Sequence, residues 1–563
     1  MAEDFMTAAV KRVEAQFEKS GVSESCAAFE RKENQIEMRD GVKLHTIYYF
    51  PKEDTAEEKT YPVILTRTCY PGNDRIHRAY GEGLARRGYV YVYQYCRGRE
   101  NSEGKWEPNI NERKDGIDTM NYLVEQPWCE ILGYWGHSYT SMTGWAFADA
   151  AEGKVAAMFL EDYGTDRFTS AYEKGCFRHD ILTAWSMENA EKPVNADYRE
   201  SCRYLPQIEV DEALWGQRVP SYREYITSPN PDAALWQTGW WKQLREIPSK
   251  TKVPIYLLSG WYDHHHGSSM KTWERLNEET KQHSWLEIGA WNHFFQICLE
   301  GKEVMHPQNE EIPKMLEWFE LTLKQKEIPT QRIRAYEIGA DRWMDTVSDG
   351  LGEKGTAGSM TLYLDEKTLR TDTPEQEKTR NYTFDPATPV ESIGGEALLH
   401  TMPQIGSHLQ PEPDYREDVL SFVSEPLEET FTLNGKASVR LFVESDCEDT
   451  AFTAKIMEVT PEGKAYNIRS SIATLEQGKT EAGTYEPGSV AEVQITMWNI
   501  VYTILKGSRI RVDVSSSDFP QYHVHSNQKG LWSEKTENKI AHQTIHTGGV
   551  HASCVILPLM KKQ

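Results

Sequence analysis

Hydrophobic and polar positions change their rhythm three times along the chain. Near the start they alternate around Asp40-Gly41, with Ile36 and Met38 before the pair and Val42 and Leu44 after it. An Asp-Gly between alternating apolar residues predicts a β-hairpin, because glycine accepts the positive φ that such a tight turn needs. Short runs with apolar residues on both faces follow: Tyr61–Leu65, Tyr89–Tyr95, Ile131–Trp135, Val253–Leu258 and Trp285–Ile288. Runs of this length suit strands of a parallel sheet covered on both sides. Segments of helical character, such as Arg113–Glu125 and Thr140–Ala151, lie between them. The alternation predicts a doubly wound α/β domain.

From 162 to 248 no clean strand appears, and Trp, Tyr, Arg and Glu are frequent. This stretch reads as a helical insertion between sheet strands, the usual place of a cap over a site. After about 335 the period becomes two, as in Val439-Leu441-Val443 and Ile510-Val512-Val514. Turn signals at Asn434-Gly435, Pro461-Glu462-Gly463 and Pro487-Gly488 punctuate the region. Many short strands with regular turns predict a β-sandwich or jelly roll. The expected organisation is an α/β domain built from 1–161 and 249–330, a helical cap at 162–248 and an all-β domain at 335–563.

Composition narrows the function classes. Hydrophobic residues make up 39% and charged residues 26%, as in folded globular chains. Sixty-two basic against 86 acidic residues leave a formal charge of −24, which repels polyanions and argues against nucleic acid or an anionic membrane as partner. The first twenty residues are charged and amphipathic, without the apolar core of a secretory signal. No run approaches the roughly 18 apolar residues of a membrane span. The nine cysteines are odd in number, scattered and without a CxxC pair, so free thiols in a reducing cytoplasm are expected.

The candidate chemistry begins at Gly136-His137-Ser138-Tyr139-Thr140, directly after the run Ile131–Trp135 and before a helix-compatible segment. Strand, sharp turn and helix is the context of a nucleophile elbow, which lifts a serine hydroxyl to the carboxyl edge of a sheet. The turn also leaves the backbone N–H of Tyr139 available to an oxyanion. Thr140 stands where the usual second glycine of G-x-S-x-G would be. Gly21-Val22-Ser23 and Gly267-Ser268-Ser269 carry the same short G-x-S, but neither follows a strand. The alternative for Ser138 is a helix N-cap serine. A serine nucleophile needs a base and an orienting acid, in the chain order Ser, acid, His in this fold class. Asp263 follows the run Val253–Leu258, and His293 follows Trp285–Ile288. Both stand where that order asks.

These residues, with several further segments, resemble the cocaine-esterase / X-Pro dipeptidyl-peptidase-like hydrolases. The resemblance covers nearly the whole chain. It includes Met38–Leu44, Arg67-Thr68-Cys69-Tyr70, Gln126-Pro127-Trp128, Gly136–Tyr139, Gly260-Trp261-Tyr262-Asp263, Gly507–Arg511 and Ser515–Pro520. It implies an α/β-hydrolase domain, an inserted helical cap and a C-terminal jelly roll. It implies Ser138 as nucleophile, Asp263 as orienting acid and His293 as base. It also implies that the Tyr70 hydroxyl and the Tyr139 N–H form the oxyanion hole. The family elbow reads G-x-S-Y-x-G, and Ser141 replaces its last glycine here.

His264, His265 and His266 follow Asp263 directly. Neighbouring side chains on a loop diverge and cannot all face one ion, so a polar loop at the mouth of the site is expected and no metal or cofactor. Trp236, Trp240 and Trp241 read as cap packing. Glu173 and Asp180 could hold a substrate amine, but a solvated helix face suits them better. The expected activity is hydrolysis of a small-molecule ester or amide through an acyl-enzyme. An X-Pro dipeptidyl-peptidase or an α-amino-acid ester hydrolase are the alternatives within enzymes, and a jelly-roll binding protein is the alternative outside them. Relatives of this kind are often homo-oligomers.

Overall fold

Gly41, at φ +85°, turns the chain between strands β1 (Ala28–Glu37) and β2 (Lys43–Lys52), the hairpin expected from the Asp-Gly pair. The structure, a computed structural model, describes residues 5–52, 59–346, 351–397 and 404–561. The hairpin opens a ten-stranded sheet. Its further strands are β3 (Tyr61–Thr68), β4 (Val90–Tyr95), β5 (Cys129–His137), β6 (Val155–Glu161), β7 (Ile255–Gly260), β8 (Trp285–Gly289), β9 (Arg332–Glu337) and β10 (Arg342–Thr346). The spatial order is β1-β2-β4-β3-β5-β6-β7-β8-β9-β10. All pairings from β4 to β9 are parallel, and antiparallel pairs lie at both edges. Every residue of β4 and of β7 is buried, as central parallel strands with helices on both faces require.

The sheet does not stop at 330, where the sequence reading ended the α/β domain. Strands β9 and β10 extend it to Thr346. In β9 the apolar Ile333 and Ala335 are buried while Arg332 and Arg334 lie half-buried between them. That alternation belongs to the edge of the α/β sheet, although its period of two looks like the start of the all-β region.

Between β6 and β7 the chain runs through short helices, among them Arg167–Ala171, Tyr198–Arg203, Pro220–Ile226 and Gly239–Lys250. A two-strand ribbon, Tyr172–Glu173 with Cys176–Phe177, interrupts them. Trp236 and Trp241 are buried, and the Trp236 indole N–H donates to the Ser228 carbonyl at 2.8 Å.

The C-terminal domain is β-rich. Its first strand, Thr356–Asp365, pairs antiparallel with its last, Cys554–Met560. The domain is bound closely to the α/β unit. Thr432 and Thr503 hydroxyls donate to the Glu337 carboxylate, at 3.1 and 2.5 Å. Trp498 packs so tightly on Gly267 that a Cβ there would lie 2.3 Å from the indole. Among the described residues no helix is long and apolar enough to cross a membrane. Among the described residues no cysteine forms a disulfide.

Candidate active site

The turn after β5 carries Ser138 at φ 57°, ψ −125°, a conformation rare for a residue with a side chain. Its N–H donates to the Glu161 carbonyl at 3.0 Å, which continues the β5–β6 ladder to the last possible residue. Helix Tyr139–Trp145 then starts at once. Gly136 is required, because a Cβ there would lie 2.2 Å from the Thr140 carbonyl oxygen. Thr140 is tied to the turn through its hydroxyl, and Ser141 is fully buried beneath it.

The structure brings Ser138, His293 and Asp263 into one chain of hydrogen bonds. The Ser138 hydroxyl lies 2.9 Å from His293 Nε2, and His293 Nδ1 lies 2.5 Å from Asp263 Oδ2. A carboxylate accepts, so Nδ1 carries the proton and Nε2 presents its lone pair to the serine. Asp263 is fully buried, and its second oxygen accepts the His265 N–H at 2.7 Å. The His293 carbonyl accepts a hydrogen bond from His137 Nε2 at 2.9 Å.

Tyr70 stands at the end of β3, where its hydroxyl accepts the Trp185 indole N–H at 3.3 Å and lies within reach of Ser138. Burial raises its pKa, so the phenol keeps its proton. Tyr139 is the first residue of its helix, and a first-turn N–H has no acceptor within the helix. Its phenol points away into the core, donating to Glu112 at 2.9 Å and accepting from the Asn109 N–H at 2.8 Å.

Ser138, Tyr70, His293 and His265 line a cavity of about 710 Å³. Ile181, Trp185, Tyr163 and Arg167 from the segment after β6 cover one side, and the N-terminal helix Phe5–Lys19 closes another through Ala9 and Val13. Next to the elbow lie two buried acids. Asp162 is fully buried, with His137 Nε2 3.6 Å from one carboxyl oxygen, and burial together with the Asp263 charge pushes its pKa well above the ordinary value. Burial, with the Glu311 charge, does the same to Glu161, which accepts the Trp135 N–H at 2.7 Å.

Two expectations need correction. His264, His265 and His266 do not form a polar loop at the mouth. All three are buried and held well below the ordinary histidine pKa by burial, hence neutral. His265 pairs with the Ser170 hydroxyl at 3.0 Å, and His266 Nε2 donates to the Asn499 carbonyl at 3.1 Å. Nor do Glu173 and Asp180 lie on a solvated helix face: Glu173, half-buried in the two-strand ribbon, accepts the Trp498 indole N–H at 3.1 Å, and Asp180 forms a fully buried ion pair with Arg178 at 2.9 Å. Glu173, His265 and His266 find partners in distant segments, which no local pattern reveals, while Asp180 finds its own two residues away in Arg178. Asp263, His264 and His293 do offer ligand atoms within 4.8 Å of one another, as do His137, Asp162 and His293. Both sets draw on a His293 whose two nitrogens already serve Asp263 and Ser138.

A family model described as X-Pro dipeptidyl-peptidase (S15 family) matches residues 40–295, and one described as the X-Pro dipeptidyl-peptidase C-terminal non-catalytic domain matches residues 329–556. The cocaine esterase of Rhodococcus sp. is 27% identical over 574 residues, covering 94% of this chain and 98% of that protein. The chain belongs to the cocaine-esterase and X-Pro dipeptidyl-peptidase-like hydrolases. It is a serine hydrolase. This hydrolase shares its fold with an aminopeptidase from a marine-sediment Thaumarchaeota archaeon, at TM-score 0.80, 21% identity and coverage of 95% and 96% of the two chains. An α-amino acid ester hydrolase matches at TM-score 0.80 and 21% identity, with 95% and 97% covered.

Sequence reasoning missed Trp185, Glu112 and Arg167 in this hydrolase. Trp185 and Arg167 lie in the segment between β6 and β7, where helices are too short to show a periodicity. Glu112 opens a helix and looks like an ordinary first-turn acid, although it is buried beneath Tyr139.

Proposed function

We propose that this hydrolase cleaves a small-molecule carboxylic ester through an acyl-enzyme on Ser138. The observation that carries the reading is His293 lying between Ser138 Oγ and Asp263 Oδ2, at 2.9 and 2.5 Å. His293 Nε2 takes the serine proton as Oγ attacks the acyl carbonyl, and returns it to the leaving group. Buried Asp263 holds the ring in the tautomer this needs and stabilises the imidazolium. The Tyr70 hydroxyl and the Tyr139 N–H bind the oxyanion, and water activated by His293 then releases the acid. No cofactor takes part in this scheme.

Domain roles belong to the same proposal. Residues 162–248 act as the cap that shapes the cavity, and the C-terminal β-rich domain is a jelly roll that supports the site. A cytoplasmic location and a homo-oligomeric particle are part of it too.

An X-Pro dipeptidyl-peptidase would need a carboxylate to clamp the substrate amine. Glu173 and Asp180, the acids first considered for that task, are tied to Trp498 and Arg178. Esters also leave more easily than amides, because an alkoxide departs without prior protonation. Purified protein is expected to react with a fluorophosphonate and to cleave short-chain aryl esters faster than Gly-Pro or Ala-Pro anilides. Ser138→Ala is expected to lose both activities with its fold intact. Near wild-type turnover by that variant would remove Ser138 from the role, and anilides cleaved at least as fast as esters would favour the peptidase.

A further inference from the structure

We propose that Arg167 makes the active-site cavity a receptor for a substrate carboxylate, so that the preferred substrates are esters carrying an anionic group away from the scissile bond. The inference rests on the acyl-enzyme reading of Ser138. Arg167 opens the short helix after β6, is 6% exposed and lines the same cavity as Ser138. A buried guanidinium stays charged and is costly unless something answers its charge. The chain has 86 acidic residues, yet among the described residues none lies within ion-pair distance of Arg167. The neighbouring acid in the chain, Asp166, is spent on Arg275 at 2.8 Å. Asp180 is spent on Arg178.

The groups in contact with Arg167 are neutral, although Glu161, Glu188 and Glu311 line other parts of the same cavity. Its guanidinium lies over the rings of Tyr225 and Trp241, at 5.3 and 5.7 Å from their centroids. Ring faces hold a cation in place without neutralising it. Its Nε meets no hydrogen-bond acceptor among the described residues. His265, which also lines the cavity, is kept uncharged by burial and by the nearby cations, Arg167 among them. The result is a guanidinium at the wall of the cavity that Ser138 lines, contacted by the phenols of Tyr163 and Tyr225 and, among the described residues, paired with no carboxylate. Carboxylate is the group whose two oxygens match a guanidinium fork. A carboxylate on the acyl group and one on the leaving group are separated by the two arms of the test.

The test uses the full-length enzyme and two matched ester pairs. The first compares p-nitrophenyl hemiglutarate with p-nitrophenyl hexanoate, an anionic and a neutral acyl group. The second compares the acetates of 4-hydroxybenzoate and 4-hydroxybenzamide, an anionic and a neutral leaving group. In one pair the anionic ester is expected to have the higher kcat/KM by about tenfold or more. Arg167→Gln is expected to lower that ratio roughly 10–100-fold, mainly through KM, as loss of a charged hydrogen bond implies. Arg167→Lys is expected to recover part of it. Anionic preference absent from both pairs, or unchanged in Arg167→Gln, would overturn the receptor while leaving the ester-hydrolase reading intact. A wild type that cleaves none of the four esters and takes no fluorophosphonate would overturn both. Should Arg167→Gln not fold, free glutarate serves instead. Competitive inhibition of hexanoate hydrolysis at about 1 mM supports the receptor, and none at roughly tenfold higher concentration overturns it.

Discussion

Thr140 grips the backbone of His137 from both sides: its Oγ1 accepts the His137 N–H at 2.6 Å and donates to the His137 carbonyl at 2.7 Å. This one hydroxyl closes the turn that holds Ser138 at positive φ. It also explains how the elbow dispenses with its second glycine, since the threonine side chain does not crowd the turn but bonds to it. Thr140→Val keeps the shape and removes both bonds. It is expected to cost about 1–3 kcal/mol of stability, because the turn N–H and carbonyl lose their partner. It should also lower kcat more than KM, through a displaced Ser138. Unchanged melting and unchanged kcat would show that the turn does not depend on the hydroxyl.

Tyr70 accepts the Trp185 N–H, which leaves its own proton free to donate towards the Ser138 side. Tyr70→Phe is expected to reduce kcat by roughly 10²–10³ with a smaller change in KM, the usual consequence of losing one oxyanion donor. Trp185→Phe removes only the bond that orients the phenol and is expected to have a milder effect in the same direction. A fall of less than about threefold in Tyr70→Phe would make Tyr70 a packing residue.

Much of this architecture is readable in the sequence. The central strands announce themselves by being apolar on both faces, and Gly136-His137-Ser138 by following one of them directly. Asp263 and His293 were legible because chain order and strand ends leave few positions for them. Tyr70 was different: nothing in its spacing marks it, and only the resemblance pointed there. Arg167 was invisible, since its meaning lies in the absence of a carboxylate that a sequence cannot show. The edge of the sheet misled for a plain reason. A half-covered edge strand such as β9 alternates with the same period as a strand of a β-sandwich, and only its parallel pairing with β8 distinguishes them.

Asp162 gives the protein a pH-dependent stability of definite sign. Its pKa in the folded state is well above 3.8, first through burial and then through Asp263. At pH below the ordinary carboxylate value, folded and unfolded chains both hold this proton. Above it the unfolded chain releases the proton first, so this carboxyl makes folding less favourable as pH rises towards the native value. Asp162→Asn removes the titration and keeps the shape. Its Tm relative to wild type is therefore expected to be greater at pH 8 than at pH 5. A difference independent of pH, or one of opposite slope, would place the ionised carboxylate in a favourable setting.

The C-terminal domain is expected to act on the site through Trp498. That indole donates to Glu173 at 3.1 Å, lies 4.7 Å from the Arg178 guanidinium and packs on Gly267 in the helix that begins at His266. The same helix follows directly from Asp263, whose carboxylate is fixed by the His265 N–H at 2.7 Å. Removing the indole by Trp498→Ala leaves a gap against Gly267 and takes the donor from the half-buried Glu173 carboxyl. The expected cost is about 2–4 kcal/mol for a large, partly buried aromatic. Loosening the loop after Asp263 should also lower kcat, with fluorophosphonate labelling slowed to a similar degree because both reactions use the same oriented His293. Removal of the whole domain after Thr346 goes further, stripping Glu337 of its Thr432 and Thr503 donors and exposing the apolar surface they cover. That fragment is expected to be insoluble. A soluble fragment ending at 346 that labels at the wild-type rate would show that the α/β unit builds its site alone.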